Sequence, residues 1–169
     1  MSRDLYNNQN QRQSGSRNYG SSTRDDYSQP AFMEGIKNVV NLSDLKVDDI
    51  AKENGIAELA AREFKKAQKE LKTTQLRKFF SQAKSIEANL KEKGWDAVSA
   101  EFAMLRPILA YAKGRKAIPD SFYTFMTLCM GKVVAQDGNE ELTRKNYTRF
   151  MQILESVVAY QKYYEDKRE

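Results

Sequence analysis

The sequence predicts an all-α protein, a compact bundle of about five helices behind a disordered N-terminal tail. Three observations predict it. From about residue 42 onward apolar residues recur at three- and four-residue spacing, the alternation typical of strands is absent, and only three prolines interrupt the 169 residues. At this length a single domain buries enough apolar surface to fold without disulfides or metals. The expected division is a polar tail over residues 1–33 and a helical domain over residues 34–169.

The tail is rich in Asn, Gln, Ser, Arg, Gly and Tyr and nearly devoid of aliphatic residues, so it cannot offset the entropy of ordering. Tyr6, Tyr19 and Tyr27, spaced among Arg12, Arg17 and Arg24, have the composition of segments that stack on and neutralise single-stranded nucleic acid. A solubilising extension with no partner explains the same composition.

The first helical segment spans about residues 47–71, with Ile50, Ile56, Leu59, Ala60, Phe64 and Ala67 on one face and Gly55 as a break. The next starts at Thr73 or Thr74, presents Leu76, Phe79, Phe80, Ala83, Ile86 and Leu90, and stops at Gly94, expected in a left-handed conformation. A third helix, about 96–113, is expected to bury Phe102, Leu105, Ile108, Leu109 and Ala112, to kink at Pro107, and to end at Gly114. The fourth follows Pro119 and Asp120. Its run from Phe122 to Val134 is apolar on most sides, which predicts the central helix. After a turn at 136–139, the last helix, about 141–165, uses Tyr147, Phe150, Met151, Leu154, Val157 and Val158 as its core face.

Composition narrows function. There is no histidine, which removes the side chain most used for proton transfer near neutral pH and the commonest imidazole metal ligand. The single cysteine, Cys129, lies between Leu128 and Met130 and reads as a packed thiol, which suits a reducing cytoplasm. No stretch approaches the roughly 18 apolar residues of a membrane span, and the first residues lack the apolar core of a signal peptide, so a soluble cytoplasmic protein without membrane contact is expected. No phosphate-binding Walker loop, no metal-ligand spacing and no nucleophile elbow occurs. The pairs Asp48, Asp49 and Glu140, Glu141 fall near helix starts, where dipole compensation accounts for them. These features argue against an enzyme and call for no cofactor or metal.

The formal net charge of +5 leans toward an anionic partner only if the cations are clustered. Arg77, Lys84 and Lys91 recur at seven-residue spacing, which returns to within about 20° of one helical direction, and Lys78 flanks that stripe. Arg106 and Lys113 are likewise seven apart, and Lys113, Arg115 and Lys116 gather at a helix C-terminus around Gly114. Such groups bind phosphates without reading bases, and Tyr111 nearby can stack on a base or sugar. Simple solvation and compensation of the helix dipole explain each cation taken singly.

Three segments carry a further signal: KTTQLRKFF at residues 72–80, LRPILAYAKGRK at 105–116 and LESVVAYQKYY at 154–164. In their order and spacing, over roughly residues 70–166, the chain resembles the small subunit of the type III-A CRISPR interference complexes, the Csm complexes. The resemblance implies a non-catalytic helical bundle, present in several copies along a ribonucleoprotein. It would lie beside the backbone and large subunits and line the channel for guide RNA and target RNA. It points to Arg77 and Lys78 in the first motif and Tyr111, Arg115 and Lys116 in the second as RNA contacts, and to Tyr160, Lys162 and Tyr163 in the third as core and subunit contacts. The long polar tail, and Glu155, Ser156 where the family usually has Glu-Ala, depart from the pattern. The expected RNA-binding set is therefore Arg77, Lys78, Lys84, Arg106, Tyr111, Lys113, Arg115 and Lys116. The rival expectation is a helical adaptor that binds protein through an apolar strip and has no nucleic-acid role.

Overall fold

The computed structural model describes residues 30–67 and 71–166. Among them are seven α-helices, one 3-10 turn and no strand. The helices are α1 (Ala31–Lys37), α2 (Val47–Ala51), α3 (Ile56–Lys66), α4 (Thr73–Lys93), α5 (Trp95–Gly114), α6 (Asp120–Met130) and α7 (Glu140–Asp166), and the 3-10 turn is Leu42–Asp44. The all-α expectation holds, with more helices than the five expected. The tyrosines and arginines singled out in the tail lie outside the described residues.

The extra elements come from short segments whose apolar residues are too few to show a period. In α1 only Phe32, Met33 and Ile36 are buried, yet Phe32 meets the rings of Phe64 and Phe125 edge-on at 6.2 and 5.5 Å. Packing therefore begins ahead of residue 34. Gly55 does separate two helices, α2 and α3, as its position suggested.

The helix that organises the bundle is α7 rather than α6. At 27 residues it reaches α2, α3, α4, α5 and the 3-10 turn, whereas α6, 11 residues long, packs against α1, α3 and α5. The run that suggested a longer fourth helix stops at Met130; Val133 is buried beyond it and Val134 points to solvent. Buried polar groups on α7 fix its neighbours. The Tyr147 hydroxyl donates to the Ala83 carbonyl of α4 at 2.8 Å, the Gln161 amide donates to the Leu71 carbonyl at 3.0 Å, and Asn146 donates to the Val133 carbonyl while accepting from the Ser43 N–H. Each satisfies a group whose burial without a partner would be costly. Cys129 is fully buried, and burial pushes its thiol well above the ordinary range, the signature of an unreactive packed thiol.

Helices α4 and α5 form a hairpin about a single residue, Gly94, with φ +87° and ψ 173°. That conformation is extended with positive φ rather than left-handed helical, a region open essentially to glycine. A Cβ there would also lie 3.1 Å from Glu140 Oε1 and 3.3 Å from Arg144 Nη2. Both belong to a knot across the hairpin end: Glu140 accepts from the Trp95 N–H at 3.0 Å, and Arg144 donates to the Leu90 carbonyl at 3.1 Å. Helix α5 runs unbroken through Pro107; the Ala103 carbonyl, deprived of its helical donor, is on the exposed side where water can serve it. Gly94→Ala should lower the stability of the full chain by about 1–3 kcal/mol, read from urea denaturation, while leaving its helical circular dichroism unchanged under native conditions.

Candidate nucleic-acid interface

The rotation of α4 determines where its cations go. Leu76, Phe79, Ala83, Ile86 and Leu90 face the core, and successive residues step by about 100°. Arg77 and Lys78, neighbours in sequence, consequently fall on opposite flanks of that face. Gln75, Lys78 and Gln82 line the flank toward α5, and Arg77, Lys84 and Lys91 line the flank toward α7.

The seven-residue stripe is real, but carboxylates take up most of its charge. Lys84 pairs with Glu87 and with Glu155 of α7, both at 2.8 Å, and Lys91 pairs with Glu87 at 3.3 Å. Hydrogen bonds that Lys84 donates to Glu155 and then Glu87 hold its ammonium above the ordinary range. Burial pushes the Glu87 carboxyl upward, but its contacts with Lys84 and Lys91 outweigh that and leave it below the usual carboxylate range. Lys84 is thus a strut between α4 and α7. Arg77 is exposed and lies close enough to Lys162 on α7 to oppose its charge.

A different group of residues converges on the other flank. The N-terminal half of α4 and the C-terminal half of α5 enclose a groove of about 330 Å³, which the buried Ile118 and Phe122 also line. Along α5, Ile108, Tyr111, Ala112 and Arg115 recur at helical spacing on its wall, opposite Gln75, Lys78 and Gln82. Ile108, expected in the core, is instead 36% exposed in this wall, and Tyr111 is 66% exposed at its rim. Arg115 donates to the Tyr111 hydroxyl at 3.2 Å, with its guanidinium 5.5 Å from the ring centroid. No carboxylate among the described residues pairs with Lys78 or Arg115. The groove therefore combines two uncompensated cations, an exposed aromatic ring and an apolar floor.

The other expected contacts stand apart from it. Lys113 turns toward α6, 3.4 Å from Asp120 and 4.6 Å from the Tyr123 ring centroid. Arg106 reaches over the C-terminal end of α6, about 4.0 Å from where a Cβ on Gly131 would stand, a position where a cation is favourable to the helix dipole. Lys116 lines a separate depression of mixed charge with Glu63 and Asp120. In the third motif, Tyr160 donates to the Ala51 carbonyl at 2.6 Å and Lys162 pairs with Asp166 at 2.5 Å.

The helix stop after α5 also differs from expectation. Gly114 is the last helical residue, and the left-handed position falls on Lys116, φ +54°. The Ala117 N–H bonds to the Ala112 carbonyl and the Lys116 N–H to the Lys113 carbonyl, both at 2.8 Å, the pair of bonds that defines a Schellman stop with lysine where glycine is usual. Among the described residues, no group of three His, Cys, Asp or Glu side chains is placed to hold a metal ion, and no helix is long and apolar enough to cross a membrane.

Among the described residues the chain is an all-helical bundle with a cationic, aromatic-edged groove between two hairpin helices. A family model described as Csm2 Type III-A matches residues 47–167, and the chain belongs to that family, whose members are subunits of the type III-A CRISPR effector complex. No curated protein and no solved structure matches the chain. The left-handed lysine yields a direct test of the helix stop: Lys116→Gly should raise stability by about 1 kcal/mol in urea denaturation, because glycine adopts that conformation without the Cβ penalty.

Proposed function

We propose that this chain is a non-catalytic subunit of a type III-A effector whose α4–α5 groove holds the sugar-phosphate backbone of guide RNA paired to target RNA. The observation that carries the reading is the placement of Lys78 and Arg115, both without carboxylate partners, on facing walls of one groove beside the exposed ring of Tyr111. Cations so placed neutralise phosphates and release their counterions, whatever the base sequence. Sequence is then read by base pairing within the effector, and the protein supplies a track. Arg77, exposed on the far flank of α4, lies outside that track.

Subunit contact falls to an apolar strip that starts at the groove's own wall, with Ile108 and Tyr111, and continues past it to Met104. Met104, Ile108 and Tyr111, at four- and three-residue spacing on the outer face of α5, are 58, 36 and 66% exposed. This apolar strip joins further copies of the chain or the backbone and large subunits, next to the groove rather than across the protein from it. The purely adaptor reading rests on the same strip and differs only in leaving Lys78 and Arg115 without a task.

Binding of the full chain to an RNA duplex, followed by fluorescence anisotropy across a salt series, checks the proposal. Affinity should fall steeply with salt, and the Lys78→Glu, Arg115→Glu double variant should bind at least tenfold more weakly at low salt, with its log–log slope shallower by about 1.5–2. Unchanged binding in that variant, together with loss in Arg77→Glu, Lys162→Glu, would move the RNA to the opposite flank of α4. Salt-independent or absent binding by the wild-type chain would favour the adaptor.

A further inference from the structure

The α4–α5 groove offers more than phosphates use. The partly exposed Ile108 and the exposed ring of Tyr111 line it, and an anion gains nothing from such surface, being stabilised by cations and water. An aromatic side chain with carboxylates beside it gains from all of the groove. Its ring lies on the apolar wall, and its carboxylates meet Lys78 and Arg115, which have no carboxylate partner among the described residues.

The chain itself carries such a segment. Among residues 1–29, Asp25 and Asp26 are the one pair of adjacent carboxylates, and Tyr27 follows them; with Arg24 the segment keeps one net negative charge. Helix α1 fixes where that segment joins the bundle. Phe32 meets Phe125, and the Lys37 carbonyl accepts from Lys132 at 3.2 Å, so α1 runs in the direction of α6. Phe32 also meets Phe64, and a Cβ on Gly35 would stand 3.1 Å from Cδ1 of Ile56, so α1 runs against α3. Pro30 therefore stands toward the start of α6 and the end of α3, where Ser121 and Ala67 line a depression with Lys116 and Ile118. Ile118 lines the groove as well. The distance is short, because the rings of Phe32, Phe64, Phe122 and Phe79, the last two in the groove, follow one another at 6.2, 5.3 and 6.1 Å. Five extended residues, the separation of Asp25 from Pro30, span about 17 Å.

We infer that residues 25–27 occupy the α4–α5 groove of the RNA-free chain, Tyr27 against its apolar wall and Asp25 and Asp26 on Lys78 and Arg115, and that RNA binds by displacing them. The occupancy stands on the groove and on where the chain reaches it; the displacement rests on the proposed RNA track. The segment offers the chemistry of a nucleotide, negative charge beside a flat ring. A groove so occupied lowers the apparent affinity of every competitor by the fraction of time it stands open, so RNA that engages several such copies at once outcompetes a chance polyanion.

Zero-length carbodiimide coupling on the full chain, mapped by mass spectrometry, reads the contact without RNA. Asp25 or Asp26 should couple to Lys78, and a saturating RNA duplex should suppress that product about fivefold. Coupling of these aspartates only to Lys66, Lys113 or Lys116, or to no lysine, overturns the occupancy whatever the chain does with RNA. Coupling to Lys78 that persists when the duplex is bound keeps the occupancy and overturns the displacement and the track together. RNA affinity gives a second reading. The Asp25→Asn, Asp26→Asn double variant should bind the duplex about fivefold more tightly, and Tyr27→Ala, which leaves the charge unchanged, about twofold more tightly. Unchanged or weaker binding by Tyr27→Ala overturns the displacement, because the ring then does not compete with RNA.

Discussion

The rotation of α4 about its own axis is the constraint from which the rest of this structure follows. Tyr147 is completely buried on α7, so its hydroxyl must find an acceptor inside the protein, and it finds the Ala83 carbonyl. Around that bond the rings of Trp95, Phe102, Tyr147 and Phe150 meet at 5.4–6.5 Å, mostly edge to face, tying α4, α5 and α7 at one place. With Ala83 turned toward α7, the two flanks of α4 are assigned. One meets the charged edge of α7, and the other faces α5 and forms the groove. A rotation by a single residue position would exchange Lys78 for Arg77 and dismantle both arrangements.

Charge then sorts by partner rather than by count. A net +5 over 169 residues is modest, and several of the cations that looked most promising serve the fold. Lys84 pairs with Glu87 on its own helix and bridges to α7 through Glu155, Lys113 settles against Asp120 and Tyr123, and Arg106 lies over the end of α6. What remains uncompensated in the α4–α5 groove is a pair of cations on facing walls with an aromatic ring at its rim. Under the proposed RNA track, a few uncompensated charges in a shaped groove serve better than a diffuse positive surface, which attracts any polyanion.

Much of this was legible in the sequence, and the exceptions have physical causes. Long amphipathic helices announce themselves, and α4, α5 and α7 fall within a residue or two of where their spacing places them. Short α1 does not, because three buried residues cannot establish a period. The turn at Gly94 was visible, but the stop after α5 was misplaced by two residues because Lys116 occupies a position where glycine is the usual signal. The basic stripe shows in its spacing, but its charge is taken up by Glu87, on α4 itself, and by Glu155, which α7 brings from some 70 residues away and which spacing cannot show. Ile108 was assigned to the core since an aliphatic residue on a helix ordinarily packs. Its spacing with Tyr111, Ala112 and Arg115, and that of Gln75 with Lys78 and Gln82, held the groove all along. Only the pairing of α4 with α5 shows that these two stripes face each other.

The central claim, that RNA runs along the α4–α5 groove, is tested most directly by ultraviolet crosslinking of the assembled effector bound to its target, followed by mass-spectrometric mapping of adducts on this chain. The account predicts that the dominant adduct falls on Tyr111 and disappears when Lys78 and Arg115 are both reversed in charge. Adducts confined to the α7 side, around Tyr160 and Tyr163, with none at Tyr111, would contradict it.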